Sequence, residues 1–219
     1  MRKRVTKNVH CLYQIILAVL AVSAIAKVIN YEIFLKSFKS LMLWYTNSSN
    51  LIVAFTLILC AVYNMKDKNP QWLILLRSGA TLWVIITSIV YHFILANPMY
   101  PFHDTSYQNL VLHYIVPIGM LFDWIIFEKK NKYKFYYPIL WLSYPLMCLV
   151  FYLIYGLRTN FYPYWFVNPY ESYPQGIGSY TNLILLVLAL TIGFLVLGYI
   201  FVWFDHISKK SRKEVSYDM

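Results

Sequence analysis

Charge is scarce in this sequence. Only 13% of its 219 residues are Asp, Glu, Lys or Arg, against about a quarter in a soluble domain. Acidic residues are the scarcest, 9 against 19 Lys and Arg. Cysteine is nearly missing too: Cys11, Cys60 and Cys148 sit in apolar runs, with no CxxC or paired spacing. That excludes a disulfide framework and a thiolate zinc site, and leaves three small packed apolar residues. What fills the chain instead is apolar and aromatic, 60% of it, with a mean hydropathy of +0.53. This balance excludes both a soluble globular domain and a disordered chain. The sequence reads as an integral membrane protein.

A helix needs about 20 apolar residues to cross the hydrocarbon. Six stretches reach that length: Val9–Ile29, Leu41–Tyr63, Trp72–Ala96, Tyr107–Phe127, Phe135–Leu157 and Tyr180–Phe204. Polar, charged or proline-rich linkers separate them, and neither a repeat nor an appended soluble domain is visible. The expected fold is all-α, a polytopic bundle of six transmembrane helices forming a single integral membrane domain over residues 1–219.

The basic residues carry topology. Arg2, Lys3, Arg4 and Lys7, then Lys66 and Lys68, then Lys129, Lys130, Lys132 and Lys134, then Lys209, Lys210, Arg212 and Lys213 all fall on one side of a six-span layout. That side holds 14 and the other 4 (Lys27, Lys36, Lys39 and Arg158), with Arg77 inside the third span. Both termini are therefore expected in the cytoplasm. The net charge of +10 is a topology signal, so no nucleic-acid partner is expected. The basic start and Ala24-Ile25-Ala26 also resemble a secretory signal with its cleavage site, but an apolar run of about 20 residues is long for one. It is read as a retained helix.

Between the first two spans, Phe34, Phe38, Leu41 and Tyr45 share one helical face of Tyr31–Trp44, and Glu32, Lys36, Lys39 and Ser40 another. An amphipathic helix at the outer interface is expected there. The loop Arg158–Ser179 is rich in aromatics and proline, including Tyr162, Pro163, Tyr164, Trp165 and Phe166. Such a loop favours headgroup depth, as an anchor or as a lid over an opening to lipid.

Polar groups at membrane depth are costly, so each is a candidate site. At about 1.5 Å per residue, Thr46 falls roughly 7–8 Å from the outer boundary, His113 roughly 9 Å and His92 about 6 Å. Asn182 lies near the outer end of the sixth span. Four helices thus place polar side chains in one outer layer. The second span opens with Thr46-Asn47-Ser48-Ser49-Asn50, where Thr46 and Asn50 share a face. Inside a span the Asn47-Ser48-Ser49 sequon has no meaning for glycosylation, and such residues also hydrogen-bond packed helices together.

In the fourth span, Pro117 has no N–H to give the carbonyl of His113, which leaves that carbonyl to water or a side chain. Asp123 is about 15 Å further along the axis, too far to orient His113, and is expected to pair with a basic residue or cap a structural network. A Thr hydroxyl becomes a nucleophile when a base accepts its proton, and His113 at matching depth fits that role for Thr46. A group orienting the base is not evident; Asn50, Asn182, His92 and Asp104 are the candidates. His92, His103, Asp104 and His113 match no metal-ligand spacing, so no metal is expected, and no cofactor.

The chain resembles the androgen-induced and androgen-dependent six-pass membrane proteins and their bacterial relatives. The resemblance rests on Trp44-Tyr45-Thr46-Asn47-Ser48-Ser49-Asn50-Leu51, on His113 with Pro117 and Asp123, and on Tyr162-Pro163-Tyr164 with Phe166. Asn50 and the prolines Pro138 and Pro145 look like the bacterial branch. The family's animal members are intramembrane threonine hydrolases that cleave fatty acid esters of hydroxy fatty acids. The resemblance implies Thr46 as nucleophile and His113 as general base. The animal motif lacks the Asn-Ser-Ser-Asn run, which implies a more polar pocket here.

The leading expectation is hydrolysis of a lipid-like ester from the outer leaflet, with membrane lipids as partners. Thr46 and His113 would be catalytic, and Asn47, Asn50, His92, Asn182, Tyr162 and Tyr164 would line the pocket. Pro117 and Asp123 would be structural. With backbone N–H groups tied up inside helices, Asn50 and Asn182 are the expected oxyanion donors. A non-enzymatic small-molecule or lipid binder or transporter would use the same polar layer. A purely structural role would leave Thr46 and His113 beyond hydrogen-bond reach.

Overall fold

A computed structural model describes the backbone of residues 2–29, 43–96 and 104–214, with side chains for 6–29, 43–96 and 104–207. His103 and all but the last two residues of the amphipathic segment expected at Tyr31–Trp44 lie outside the described residues.

The protein is all-α. Its helices are α1 (Arg2–Val28), α2 (Tyr45–Met65), α3 (Gln71–Leu95), α4 (Tyr107–Ile126), α5 (Tyr137–Thr159) and α6 (Tyr180–Glu214). Each is long and apolar enough to cross a membrane. One boundary changes the site: α2 begins at Tyr45, not near Leu41, because Trp44 is extended at φ −100°, ψ 123°. Thr46 therefore lies in the first helical turn.

The chain divides into two compact units, Met1–Tyr133 and Lys134–Met219. In the first, α1 packs along α2, α2 against α3 and α3 against α4, and α4 returns to α1. Small residues on α1 (Ala18, Ala21 and Ala24) are buried at the α1 contacts, where they permit close backbone approach. Gly119 does the same on α4: a Cβ there would meet Leu17 Cδ1 at 2.7 Å. Tyr13 Oη donates to the carbonyl of that glycine at 2.8 Å. Large apolar side chains such as Leu12, Val19, Phe55 and Phe122 point outward and are exposed, which suits a surface bathed in lipid.

Polar residues inside the helices turn back onto their own backbone. Ser78 Oγ donates to Ile74 O (2.6 Å), Thr81 Oγ1 to Arg77 O (2.9 Å) and Thr87 Oγ1 to Trp83 O (2.9 Å). Two helices also carry a π-turn, in which the backbone bonds i to i−5. One closes α3 at Tyr91–Leu95 and the other interrupts α4 at Val111–Ile115.

In the second unit α5 is broken at Leu142 into Tyr137–Trp141 and Ser143–Thr159, where Pro145 has no N–H for the carbonyl of Trp141. The first piece packs on α6. The aromatic loop folds on its own rings. Tyr164 stacks on Phe166 (5.2 Å) and meets Tyr152 edge-on (5.7 Å), while Asn168 Nδ2 donates to Gln175 O (3.1 Å).

Candidate functional site

The first unit brings Thr46 of α2 and His113 of α4 together: Oγ1 and Nε2 are 3.2 Å apart. The tautomer follows from the other ring nitrogen. His113 Nδ1 lies 3.1 Å from the carbonyl of Asn109, which can only accept, so Nδ1 carries the proton. In the neutral ring Nε2 then presents a lone pair to the Thr46 hydroxyl. Tyr91 covers the imidazole face, with centroids 3.7 Å apart and the planes within 20°. Both members of the pair are partly exposed.

The orienting group is thus a backbone carbonyl one turn back on the same helix. None of the four side-chain candidates fills that place. Asp104 instead accepts the N–H of Ser106 on Oδ1 (2.9 Å). Its own carbonyl takes Asn109 Nδ2 (2.7 Å), which anchors the residue whose carbonyl holds His113.

Pro117 acts, but on a different carbonyl from the one its spacing indicates. Within the π-turn the N–H of Val116 goes back to Val111 O. The next donor in that register would come from residue 117, which has none, so Leu112 O is left over. Asn50 Nδ2 supplies the bond at 3.2 Å. The same amide donates to Thr46 O at 2.8 Å, so Asn50 ties α2 to α4. Both of its N–H groups are committed, which removes Asn50 as an oxyanion donor. Its Oδ1 is buried without a partner among the described residues.

The start of α2 corrects the expectation about backbone donors as well. Thr46 and Asn47 occupy the first turn, where N–H groups have no acceptor inside the helix. Ser48 Oγ turns back to Trp44 O and Tyr45 O (both 3.2 Å). Ser49 Oγ lies 3.2 Å from Thr46 O and 3.4 Å from Thr87 Oγ1. Asn47 is 5% exposed.

His92 lies on the π-turn of α3, with Nδ1 3.3 Å from Tyr114 Oη. The remaining expected pocket residues belong to the second unit. Asn182 Nδ2 donates to Ile177 O (2.9 Å) and its backbone N–H to Ser179 Oγ (3.1 Å), closing the end of the loop. The Tyr162 ring lies over Gly156, where any Cβ would overlap it. Tyr164 is buried in its stack.

At the other end of α2, α3 and α4, where α1 joins them, lies a charged cluster. Asp123 receives Arg77 through both Nη2 and Nε, the latter at 3.0 Å, and pairs with His10 Nε2 at 2.8 Å. Asn64 Nδ2 reaches His10 Nδ1 (3.1 Å) and Gln14 Oε1 (3.2 Å). Arg77 Nε also lies 3.6 Å from Glu128 Oε2, which accepts from Tyr133 Oη (3.2 Å). His10 stacks on Phe127 at 4.4 Å. Asp123 is completely buried and belongs to this network, not to His113.

No known protein family matches the chain, and neither does any curated protein or solved structure.

Proposed function

We propose that the protein is an intramembrane hydrolase of a lipid-like ester, with Thr46 as nucleophile and His113 as general base. The observation that carries this reading is the Thr46–His113 contact of 3.2 Å with His113 Nδ1 held on Asn109 O. A hydroxyl facing the lone pair of an oriented imidazole is the arrangement nucleophilic acyl transfer needs. Thr46 Oγ attacks the ester carbonyl as His113 takes its proton. The alkoxide leaves with that proton, and water then releases the acyl group from Thr46 by the same base. The partial exposure of both side chains and the apolar surroundings favour an acyl substrate arriving from lipid. The resemblance of the Thr46 run and the His113–Pro117 segment to the threonine hydrolase family points the same way. The surplus of basic residues puts both termini in the cytoplasm and the pair toward the outer leaflet.

Purified protein incubated with a p-nitrophenyl acyl ester and with a fluorophosphonate probe tests the assignment. The wild type turns over the ester and is labelled at Thr46, whereas Thr46→Ala and His113→Ala lower kcat by at least about 1,000-fold. Full activity in either variant sinks the assignment. Ligand-dependent stabilisation without turnover, surviving Thr46→Ala, assigns a binder that uses the same polar layer.

A further inference from the structure

Acyl transfer leaves one requirement unmet by Thr46 and His113. The carbonyl oxygen turns negative on attack and needs a hydrogen-bond donor aimed at it. The polar side chains around Thr46 can be taken in turn. Asn50 commits both N–H groups to Thr46 O and Leu112 O. The single O–H of Ser48 goes to the preceding turn, and that of Ser49 to Thr46 O or Thr87. Asn109 Nδ2 holds Asp104 O.

Asn47 differs from all of these. It follows the nucleophile directly and is 5% exposed, and its amide makes no hydrogen bond to the described residues. It is therefore an uncommitted donor, next in the chain to the reactive hydroxyl. The backbone adds to it: Thr46 and Asn47 are the second and third residues of α2. Their N–H groups have no acceptor within the helix, and the start of a 21-residue helix favours negative charge.

We propose that Asn47 is a catalytic residue, whose Nδ2–H stabilises the oxyanion together with the first-turn N–H groups of α2. The proposal rests on the acyl-transfer reading. When Thr46 Oγ bonds to the ester carbon, the Thr proton passes to His113 Nε2 and the C=O π pair moves onto oxygen, to which Asn47 Nδ2–H donates a hydrogen bond. The pair returns as the C–O bond to the leaving alcohol breaks, and that alcohol takes the proton from His113. Water attack on the acyl-threonine repeats the cycle, with the charge on the same oxygen, and yields a carboxylic acid. Asn47 thus interacts most strongly with the tetrahedral species, while Asn50 shapes the ground state.

The test uses the full chain in detergent micelles, with a p-nitrophenyl acyl ester and an alkyl trifluoromethyl ketone, which mimics the tetrahedral adduct. Wild-type turnover that Thr46→Ala abolishes establishes the underlying reading. Asn47→Leu and the isosteric Asn47→Asp then lower kcat by about 100- to 1,000-fold, leave KM within about threefold, and weaken ketone binding in step with kcat. Asn47→Gln, which keeps the donor, recovers part of the loss. A folded Asn47→Leu or Asn47→Asp with kcat within about threefold of wild type overturns the proposal and leaves the acyl-transfer reading standing. So does a loss confined to KM, which would make Asn47 a lining residue. Failure of both Asn47→Leu and Asn47→Asp to fold assigns Asn47 to the scaffold and also overturns it. A wild type with neither turnover nor labelling overturns the acyl-transfer reading and the proposal with it.

Discussion

Two polar clusters lie in the first unit, one built on α2, α3 and α4 and one that α1 joins, and the two differ in how far their groups are committed. At one end Arg77, Asp123, Glu128 and His10 are matched to one another, and Asn64 and Tyr133 hold the outer members. At the other end the groups are neutral. His113 and Thr46 share one contact, Asn50 braces two helices, and Asn47 has no partner among the described residues. A fully matched buried charge network resists rearrangement, since freeing any member exposes an unpaired charge. A neutral cluster with groups left over can accept a new partner without that penalty. The charged end therefore reads as scaffold, and the Thr46 end as the place open to the proposed chemistry.

Breaking the charged end gives the largest effect on stability. Arg77→Ala leaves Asp123 and Glu128 without their shared cation and should lower the unfolding free energy by about 3–5 kcal/mol. Denaturant unfolding in detergent measures it. The molecules that remain folded should keep ester turnover within about twofold of wild type, because the network touches neither Thr46 nor His113. A loss of turnover per folded molecule would join the two ends into one functional unit and end the contrast.

Asn50 lies at the reactive end and yet does scaffold work, so it tests where the line falls. Asn50→Leu removes two donors and strands the carbonyl of Leu112, at a cost of about 1–3 kcal/mol. It also frees the π-turn carrying His113, so turnover should fall together with the unfolding midpoint. Asn47→Leu, by contrast, should cost turnover and little stability. If Asn50→Leu altered activity alone, its bond to Leu112 would carry no structural weight.

The same division governs what could be read from residue types. Six helices were legible because twenty-residue apolar runs leave a membrane protein few alternatives, and every apolar span, Thr6–Val28 within α1 and Tyr180–Ile207 within α6 included, ends within four residues of its expected place. The approach of Thr46 and His113 was foreshadowed by matching depth on two helices. The orienting group was not, because the carbonyl of Asn109 is a backbone atom and residue types say nothing of it. A π-turn shifts register by one residue and has no clear sequence signal, so the unsatisfied carbonyl moved from His113 to Leu112. The extended Trp44 hid that Thr46 opens a helix. Nor did spacing show that His10, near the start of α1, would join Asp123 across 113 residues; only the expectation that Asp123 pairs with a basic residue pointed toward the cluster.

Tyr91 probes the reactive end more gently. Its ring restrains the imidazole plane without bonding to it, and such stacks contribute about 0.5–1.5 kcal/mol beyond burial. Tyr91→Leu should slow kcat by roughly two- to tenfold while Thr46 remains labelled by fluorophosphonate. Tyr91→Phe should behave as wild type if the face of the ring is what matters. Equal losses in both variants would instead make the phenol a participant.

The smallest effect expected is a tilt of stability with pH, and it belongs to the charged end. Burial pushes the carboxyl of Glu128 above its ordinary range, against the pull of Arg77 and Lys130 and with Asp123 adding to the rise. The folded chain then holds this proton more tightly than the unfolded chain, whose Glu titrates near about 4.3. The stability this contributes is complete below that value and is lost as pH rises through the raised one. Unfolding midpoints of the wild type should fall across that window relative to those of Glu128→Gln, which cannot titrate. Parallel profiles would show that Arg77 compensates the burial of Glu128 in full. In that case both carboxylates of the charged end would be matched, and the contrast with the uncommitted amide of Asn47 would be sharper still.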